Sequence, residues 1–155
     1  MTREDIDNLL NNLQPNARLA GLDWGSKTIG VAVGVPTLRL ATPLQTLTRR
    51  KLQQDIAVLR QLCDKYDVGG LVVGLPLHAN GDAGKRAQSV RDIMDEVHRA
   101  WPVPYVFWDE RYSTAAMHDF LIEAADVSRG RRDQVIDKMA AQYILQSFFD
   151  CLPVH

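Results

Sequence analysis

The chain has 155 residues, of which 46% are hydrophobic and 24% are charged, as in one ordinary soluble globular domain. No apolar run approaches the roughly 20 residues that a membrane span requires. The formal net charge of −1 excludes a protein that binds nucleic acid through an overall positive charge, so an anionic substrate would have to be held by local basic clusters or through bound metal.

The first third of the chain predicts a short helix and three strands. Residues 3–13 have apolar side chains at helical spacing, within an N-terminal extension (residues 1–16) to a core at 18–150. This segment lacks the basic start and apolar run of a signal peptide, which predicts a cytoplasmic protein. The strands, joined by short turns into an antiparallel meander, are predicted at Arg18–Asp23, Thr28–Val35 and Leu38–Leu47. Pro43 should place the third strand at a sheet edge or in a bulge.

The rest of the chain alternates between helix and strand. The predicted elements are a helix over 52–63 ended by Gly69–Gly70, a strand over 70–75, a helix over 87–100, a strand over 105–108, a helix over 113–123, a basic loop over 126–132 and a helix from about Gln134 to Asp150. The right-handed crossover rule makes the two later strands parallel to the first. We therefore predict an α/β fold with a mixed five-stranded sheet flanked by helices.

The two cysteines show no metal-binding spacing. Cys63 lies on the apolar stripe of a predicted helix, and Cys151 is far away in the sequence. We expect Cys63 to be a buried thiol in a reducing compartment, with a disulfide as the less favoured alternative.

Carboxylates follow two of the predicted strands. Asp23 ends the first strand, and Glu110 comes directly after the strand that begins at Tyr105. In open α/β sheets, ligands bind at the carboxyl ends of parallel strands. Asp137, in the first turns of the last predicted helix, has apolar or small neighbours and is expected to face inward. A buried carboxylate needs a partner, and a divalent metal would be one.

Three carboxylates from distant parts of a chain suit phosphodiester hydrolysis, in which two magnesium ions about 3.5–4 Å apart stabilise the attacking and leaving oxygens. Each acid also fits a structural role by itself. Asp23 could form an Asx-turn, Glu110 could pair with Arg111 or cap a helix, and Asp137 could interact with the helix dipole. Their joint placement at corresponding element ends favours a shared acidic site.

Four blocks of the sequence, in order, resemble the signature blocks of the YqgF/RuvX family. They are GLDWGSKTIGVAVGVP, VVGLPLHANGDAG, WDERYSTAAMHDFL and VIDKMAAQYILQSFFD. The resemblance covers about residues 18–150. Members of this family are described as pre-16S rRNA nucleases and as Holliday-junction-resolvase-like proteins. Tyr112 departs from the Leu or Phe that commonly follows the DER block.

The resemblance implies an RNase H-like fold and a metal-dependent site, with Mg²⁺ or Mn²⁺ held by Asp23, Glu110 and Asp137. It also implies a hydrolase that matures the 5′ end of precursor 16S rRNA, acting as a monomer or weak homodimer. Two alternatives remain open, namely a resolvase of branched DNA and a non-catalytic RNA-binding factor of ribosome assembly.

Basic side chains near these acids are candidate contacts for the phosphates of a nucleic acid. They are Lys27 on the first turn, Lys85 and Arg86 after the second block, Arg111 beside Glu110, and Arg131 and Arg132 before Asp137. Phosphate contacts of this kind would position a nucleic acid without reading its sequence. Each basic cluster taken alone also fits a solvated helix end or turn.

Overall fold

The protein is represented by a computed structural model that describes residues 3–76, 84–109 and 129–152. In these residues, nine elements form one sheet with helices on both faces. The strands are β1 (Arg18–Trp24), β2 (Thr28–Val35), β3 (Leu40–Thr48), β4 (Val68–Leu75) and β5 (Tyr105–Asp109). The helices are α1 (Arg3–Asn11), α2 (Leu52–Lys65), α3 (Lys85–Ala100) and α4 (Arg129–Asp150). The helix predicted over 113–123 lies outside the described residues.

The strand order in the sheet is β3-β2-β1-β4-β5. The pairs β1–β2 and β2–β3 are antiparallel, whereas β1–β4 and β4–β5 are parallel. The predicted mixed five-stranded α/β sheet is therefore confirmed. Because β1, β4 and β5 are parallel, their carboxyl ends at Trp24, Leu75 and Asp109 lie along one edge of the sheet. This edge is formed by the ends of the strands and not by the outermost strand β3.

Strand β3 occupies the sheet edge that Pro43 predicts, and it is also irregular there. Val31 of β2 pairs with Gln45, but the next residue, Ala32, pairs with Pro43, so Leu44 is an extra residue on β3. Proline lacks the backbone N–H that a regular ladder needs, and an edge bulge tolerates this loss.

Each face of the sheet carries its own hydrophobic core, because successive side chains of a strand point to opposite faces. On one face, Ala20, Leu22 and Trp24 of β1 pack with residues of α2 and α3. On the other face, Leu19 packs with buried side chains of α4, including Leu145. The buried strands are therefore apolar on both faces, as their sequences predict.

Two glycines let the backbone of α4 lie directly on β1 and β2, and a third makes room for one side chain of that helix. A Cβ atom added to Gly30 would lie 2.0 Å from the carbonyl oxygen of Asp137. A Cβ on Gly21 would lie 2.6 Å from the carbonyl oxygen of Ala141, and one on Gly34 would lie 2.7 Å from the ring of Phe149. The three helix residues are spaced at multiples of four and form one face of α4. These close approaches leave no room for a side chain at the three positions, so glycine is required there.

Two α4 glutamines cover part of the open β3 edge. Gln146 Oε1 accepts a hydrogen bond from the backbone N–H of Ala41 at 2.9 Å, and Gln142 Nε2 donates to the carbonyl of Ala41 at 3.0 Å. Gln146 Nε2 also donates to the carbonyl of Arg39 at 2.8 Å. Backbone groups that would otherwise be unpaired at the edge are thus satisfied by this helix.

Helix α2 ends differently from its prediction. The helix stops at Lys65, and Asp67 then adopts a φ of 55°, the left-handed conformation that commonly follows a helix end. Gly69 and Gly70 belong to β4 instead. A Cβ on Gly70 would lie 2.7 Å from Leu9 Cδ1, so the close packing of α1 explains this glycine.

Helix α4 begins at Arg129, so the loop predicted over 126–132 is wrong for residues 129–132. Arg, Asp and Gln are all compatible with a helix, and no proline interrupts this stretch, so the single Gly130 is tolerated. Asp137 consequently lies in the third turn of the helix and not in its first turns. No helix in the described part of the chain is long and apolar enough to cross a membrane.

The burial predicted for Cys63 is confirmed. Cys63 is buried in the core beneath α2, Cys151 is exposed, and neither forms a disulfide. Burial raises the pKa of the Cys63 thiol to about 12, with a smaller contribution from the negative charge of Asp64. Cys63 is therefore an uncharged, hydrophobic core residue at neutral pH.

Replacing Gly30 with alanine should destabilise the protein. The added methyl group would overlap the α4 backbone, which cannot rotate away as a side chain can, so we expect a loss of about 1–3 kcal/mol in the free energy of unfolding. Urea denaturation would measure this loss. Gly69→Ala is the control, because its Cβ would approach only the side chains of Leu13 and Ala17, at 3.1 and 3.4 Å. Equal losses in both variants would contradict the packing argument.

Candidate acidic site at the sheet edge

Asp23 lies at the carboxyl end of β1, on the face covered by α4. It pairs with Gly30 of β2, and directly opposed residues of an antiparallel pair point to the same face. Gly30 is the residue whose missing Cβ makes room for α4. The neighbours Leu22 and Trp24 point to the opposite face, into the core with α2 and α3. The half-buried Asp23 carboxylate is therefore directed toward the helix that carries Asp137.

Asp137 lies on the sheet-facing side of α4. Its carbonyl oxygen approaches Gly30, and its half-buried carboxylate accepts a hydrogen bond from the hydroxyl of Thr28, through Oδ2. Thr28 and Gly30 are two residues apart in β2 and therefore share a face of the sheet. The inward orientation predicted for Asp137 is the one observed.

The register brings the two carboxylates into one neighbourhood. Opposed Cβ atoms in an antiparallel pair are about 4.5–5.5 Å apart, which is the separation expected between Asp23 Cβ and the Cβ position of Gly30. The Asp137 carbonyl oxygen lies 2.0 Å from that second position. Asp23 and the backbone of Asp137 are therefore both neighbours of Gly30, on the same face of the sheet. Asp23 and Asp137 are brought together although 113 residues separate them in the sequence.

The hairpin that follows Asp23 is held by Arg49 from the other face of the sheet. Gly25 N–H donates to the carbonyl of Thr28 at 2.8 Å and closes the turn. The Arg49 guanidinium donates to the carbonyl of Gly25 at 2.8 Å and lies over the Trp24 ring, 5.3 Å from its centroid. Arg49 thus contacts both residues that follow Asp23.

A buried carboxylate fixes Arg49 in turn. Asp55, in the first turn of α2, is only 4% exposed and forms a 3.0 Å ion pair with Arg49 Nε. It also accepts a hydrogen bond from the backbone N–H of Arg50 at 2.9 Å. A buried charge is tolerated when it is paired and hydrogen-bonded in this way. The Arg49 side chain is therefore held by a buried partner, whereas its neighbours Arg50 and Lys51 are exposed.

Three of the candidate phosphate contacts lie among the residues whose side chains the structure describes. Lys27, on the hairpin, and Lys85 and Arg86, in the first turn of α3, are exposed. Lys85 and Leu52 line one depression of the surface, so the N-terminus of α3 adjoins that of α2. Glu110 and Arg111 lie outside the described residues. Residues 131 and 132 lie within α4, but their side chains are not described.

Asp23 and Asp137 do not form a complete metal centre by themselves. Within residues 3–76, 84–109 and 129–152, no group of three or more His, Cys, Asp or Glu side chains could hold a metal ion. The predicted third acid, Glu110, is outside these ranges. Asp23 and Asp137 offer only carboxylate oxygens, the donors that Mg²⁺ and Mn²⁺ prefer.

Sequence reasoning missed Thr28 and the Arg49–Asp55 pair. Asp55 precedes Leu59 by four residues and so belongs to the buried face of α2, which was a usable signal that it needs a partner. Strand alternation gives the face on which Thr28 lies but not its bond to a residue 109 positions later.

Comparisons with known proteins agree on one family. A family model named RuvX, described as a Holliday junction resolvase, matches residues 17–151. A protein of Paramagnetospirillum magneticum named "Putative pre-16S rRNA nuclease" is 49% identical over 142 residues, covering 92% of this chain and 91% of that protein. A relative in Methylocella silvestris with the same name is 44% identical, covering 96% of this chain and 91% of that protein.

Solved structures support the fold. The structure of T. thermophilus RuvC in complex with a Holliday junction substrate matches with a TM-score of 0.51 and 10% identity, over 86% of this chain and 94% of that chain. The fowlpox virus Holliday junction resolvase matches with a TM-score of 0.50 and 13% identity, over 87% of this chain and 99% of that chain. The RNase H-like fold predicted from the resemblance is thereby confirmed.

Replacing Asp55 with alanine should lower the free energy of unfolding by about 2 kcal/mol, because hydrogen bonds to a charged group are removed and Arg49 is left without its partner. Urea denaturation would measure the change. Glu96→Ala is the matched control, because Glu96 pairs with Arg99 at 2.6 Å on the exposed surface of α3. Such surface pairs contribute less than about 1 kcal/mol. A loss in Asp55→Ala no larger than that in the control would show that the buried pair does not stabilise the hairpin.

Proposed function

The chain belongs to the RuvX family, and we propose that it is a nuclease that hydrolyses a phosphodiester bond of precursor 16S rRNA to mature the 5′ end of that RNA. The names of relatives that are 44–49% identical over more than nine-tenths of the chain support this substrate. We also propose that the protein acts in the cytoplasm, on RNA that is free or within a ribosomal subunit.

One observation carries the proposal of an acidic catalytic site. Asp23 and Asp137 face the same space between the sheet and α4, at the edge where the parallel strands end. That edge is the usual ligand-binding position in open α/β sheets. Two carboxylates drawn together there repel each other unless a cation lies between or beside them.

We assign Asp23, Asp137 and Glu110 as the residues that hold divalent metal, with Mg²⁺ or Mn²⁺ as the ion. Their donor atoms are all carboxylate oxygens, which fits these cations. When bound, such ions activate the attacking water and stabilise the charge on the leaving oxygen. The chain itself contributes fixed backbone positions for Asp23 and Asp137, set by the β1–β2 register and by the contact of α4 with Gly30.

Glu110 is assigned from its position after β5. Val106 and Trp108 of β5 pack on the α4 side of the sheet, where Trp108 Nε1 donates to Ser147 Oγ at 3.1 Å. A strand that continues this alternation brings a residue at 110 to the face that Asp23 occupies. The parallel pairing of β5 with β4 gives the same edge of the sheet.

Basic side chains near this edge are proposed to hold the RNA backbone. Lys85 and Arg86 occupy the first turn of α3, which contains no acidic residue. Cations at a helix N-terminus oppose the helix dipole at a cost of about 0.3–1 kcal/mol each, so helix stability does not explain them. Binding of the phosphates of a nucleic acid would explain the two cations at this position. We include Lys27 on the hairpin, and Arg111, Arg131 and Arg132, in the same role.

Branched DNA is the second candidate substrate, and the description of the family model as a Holliday junction resolvase favours it. Both substrates require the same hydrolysis at the same carboxylates, so they differ in what the basic surface accepts. A non-catalytic role in ribosome assembly would instead require binding of RNA with no cleavage by the wild-type protein.

Asp23→Asn and Asp137→Asn should each reduce cleavage by at least about 100-fold, because bound metal contributes several kcal/mol to transition-state stabilisation. The assay uses precursor 16S rRNA and a four-way DNA junction, each with Mg²⁺, with Mn²⁺ or with chelator, and Glu110→Gln tests the third acid. Asp150→Asn is the control, because it removes an exposed charge from the far end of α4. Full activity of Asp23→Asn would overturn the mechanism, and cleavage of the junction alone would replace the substrate.

Lys85→Gln and Arg86→Gln, each made as a single substitution, should weaken RNA binding and flatten its salt dependence. Removing one phosphate interaction should lower the slope of log K against log salt by about 0.7–0.9. Filter binding at several salt concentrations would measure the slope. Arg99→Gln removes the same charge from the other end of α3 and should leave the slope unchanged. An equal effect of Arg99→Gln would mean that only the net charge matters.

A further inference from the structure

We propose that Thr28 is a positioning residue that orients the carboxylate of Asp137 toward a divalent cation. The Thr28 hydroxyl donates a hydrogen bond to Oδ2 of Asp137 and leaves Oδ1 without that constraint. The inference rests on the proposed function, since it concerns the same acidic site. It adds a residue that carries no charge and would not itself hold the metal.

The main chain of Thr28 is fixed from three directions. Thr28 is the first residue of β2, its carbonyl accepts the 2.8 Å hydrogen bond from Gly25 N–H that closes the hairpin, and it pairs with Thr48 of β3. Threonine is branched at Cβ, which restricts its χ1 rotation. The Thr28 hydroxyl is therefore held on the α4 side of the sheet by a rigid support.

Asp137 needs such a support, because its backbone position alone leaves the carboxylate free to turn. The packing of its carbonyl on Gly30 fixes the start of the side chain, but two torsions still separate the backbone from the carboxylate oxygens. A carboxylate has about four acceptor sites, and Thr28 uses one of them. Hydrogen bonds from groups behind a ligand commonly fix its orientation in metal sites.

A purely structural role, in which the bond ties α4 to β2, is less well supported. Helix α4 is already held by close backbone packing on Gly21 and Gly30 and by the ring of Phe149 on Gly34. It also buries apolar side chains that are fully inaccessible, including Phe148 and Phe149. One further hydrogen bond adds about 0.5–1.5 kcal/mol to such an interface, whereas the same bond acts directly on the orientation of the Asp137 carboxylate.

The experiment measures binding of Mn²⁺ by electron paramagnetic resonance on the full-length protein, without substrate. Thr28→Val keeps the shape of threonine and removes the hydroxyl, while Thr28→Ser keeps the hydroxyl. We expect Thr28→Val to weaken Mn²⁺ binding by about 10-fold or more, the usual effect of losing an orienting partner, and Thr28→Ser to stay within about threefold of wild type. The melting temperature should change little in either variant.

Cleavage kinetics give an independent measurement on the same variants. Thr28→Val should lower kcat at subsaturating metal, with partial recovery as Mn²⁺ is raised, and should leave KM for the nucleic acid unchanged. Thr42→Val makes the same substitution at an exposed site on the same sheet, where Thr42 pairs with Val33 and faces away from α4. It should behave as wild type in both assays.

Two results would overturn the inference, and they have different meanings. If Asp137→Asn loses Mn²⁺ binding but Thr28→Val binds like wild type, the site stands and Thr28 does not orient it. If Asp137→Asn itself binds Mn²⁺ like wild type, the proposed metal site fails and the role of Thr28 fails with it. Should Thr28→Val not fold, Thr28→Ala and Thr28→Ser also differ in the hydroxyl, and equal binding by those two would overturn the inference.

Discussion

The contact between the backbone of α4 and the glycines of β1 and β2 is the constraint on which the rest of the site depends. Gly21 and Gly30 have no Cβ, and the carbonyl oxygens of Ala141 and Asp137 in the helix backbone occupy the space that a side chain would fill. Side chains between a helix and a sheet normally set their separation, and they can adjust by changing rotamer. Here the main chains meet directly, so the position of Asp137 relative to Asp23 is set by backbone geometry.

The opposite face of the sheet supplies a second constraint on the same hairpin. The Arg49 guanidinium contacts Trp24 and Gly25, and the buried Asp55 holds Arg49 in place. Since α2 carries Asp55, the turn after Asp23 is tied to α2 on one side, while Asp23 itself faces α4 on the other. Both ties join the hairpin to elements that come later in the sequence. The proposed acidic site thus depends on the packing of both layers of helices.

The sequence predicted features that depend on local pattern and did not predict those that depend on distant partners. The strands and the edge position of Pro43 followed from short stretches read alone, and the parallel pairing followed from the order of helices and strands. The end of α2 at Lys65 was missed because the later glycines, which pack against α1, resemble a stop signal. The early start of α4 was missed because a basic, polar stretch is equally compatible with a loop and a helix. For the site, the inward face of Asp137 was predictable, but its bond to Thr28 was not.

Helix α4 also has a consequence for how the protein behaves at high concentration. Its glutamines occupy the N–H and carbonyl of Ala41 and the carbonyl of Arg39, which an edge strand would otherwise present to another chain. The exposed side chains of Leu38 and Leu40 lie beside these groups. Partial detachment of α4 would therefore uncover an aggregation-prone strand edge at the same time as it removes Asp137 from the site. Loss of activity and the onset of aggregation should consequently accompany each other in variants that loosen this helix.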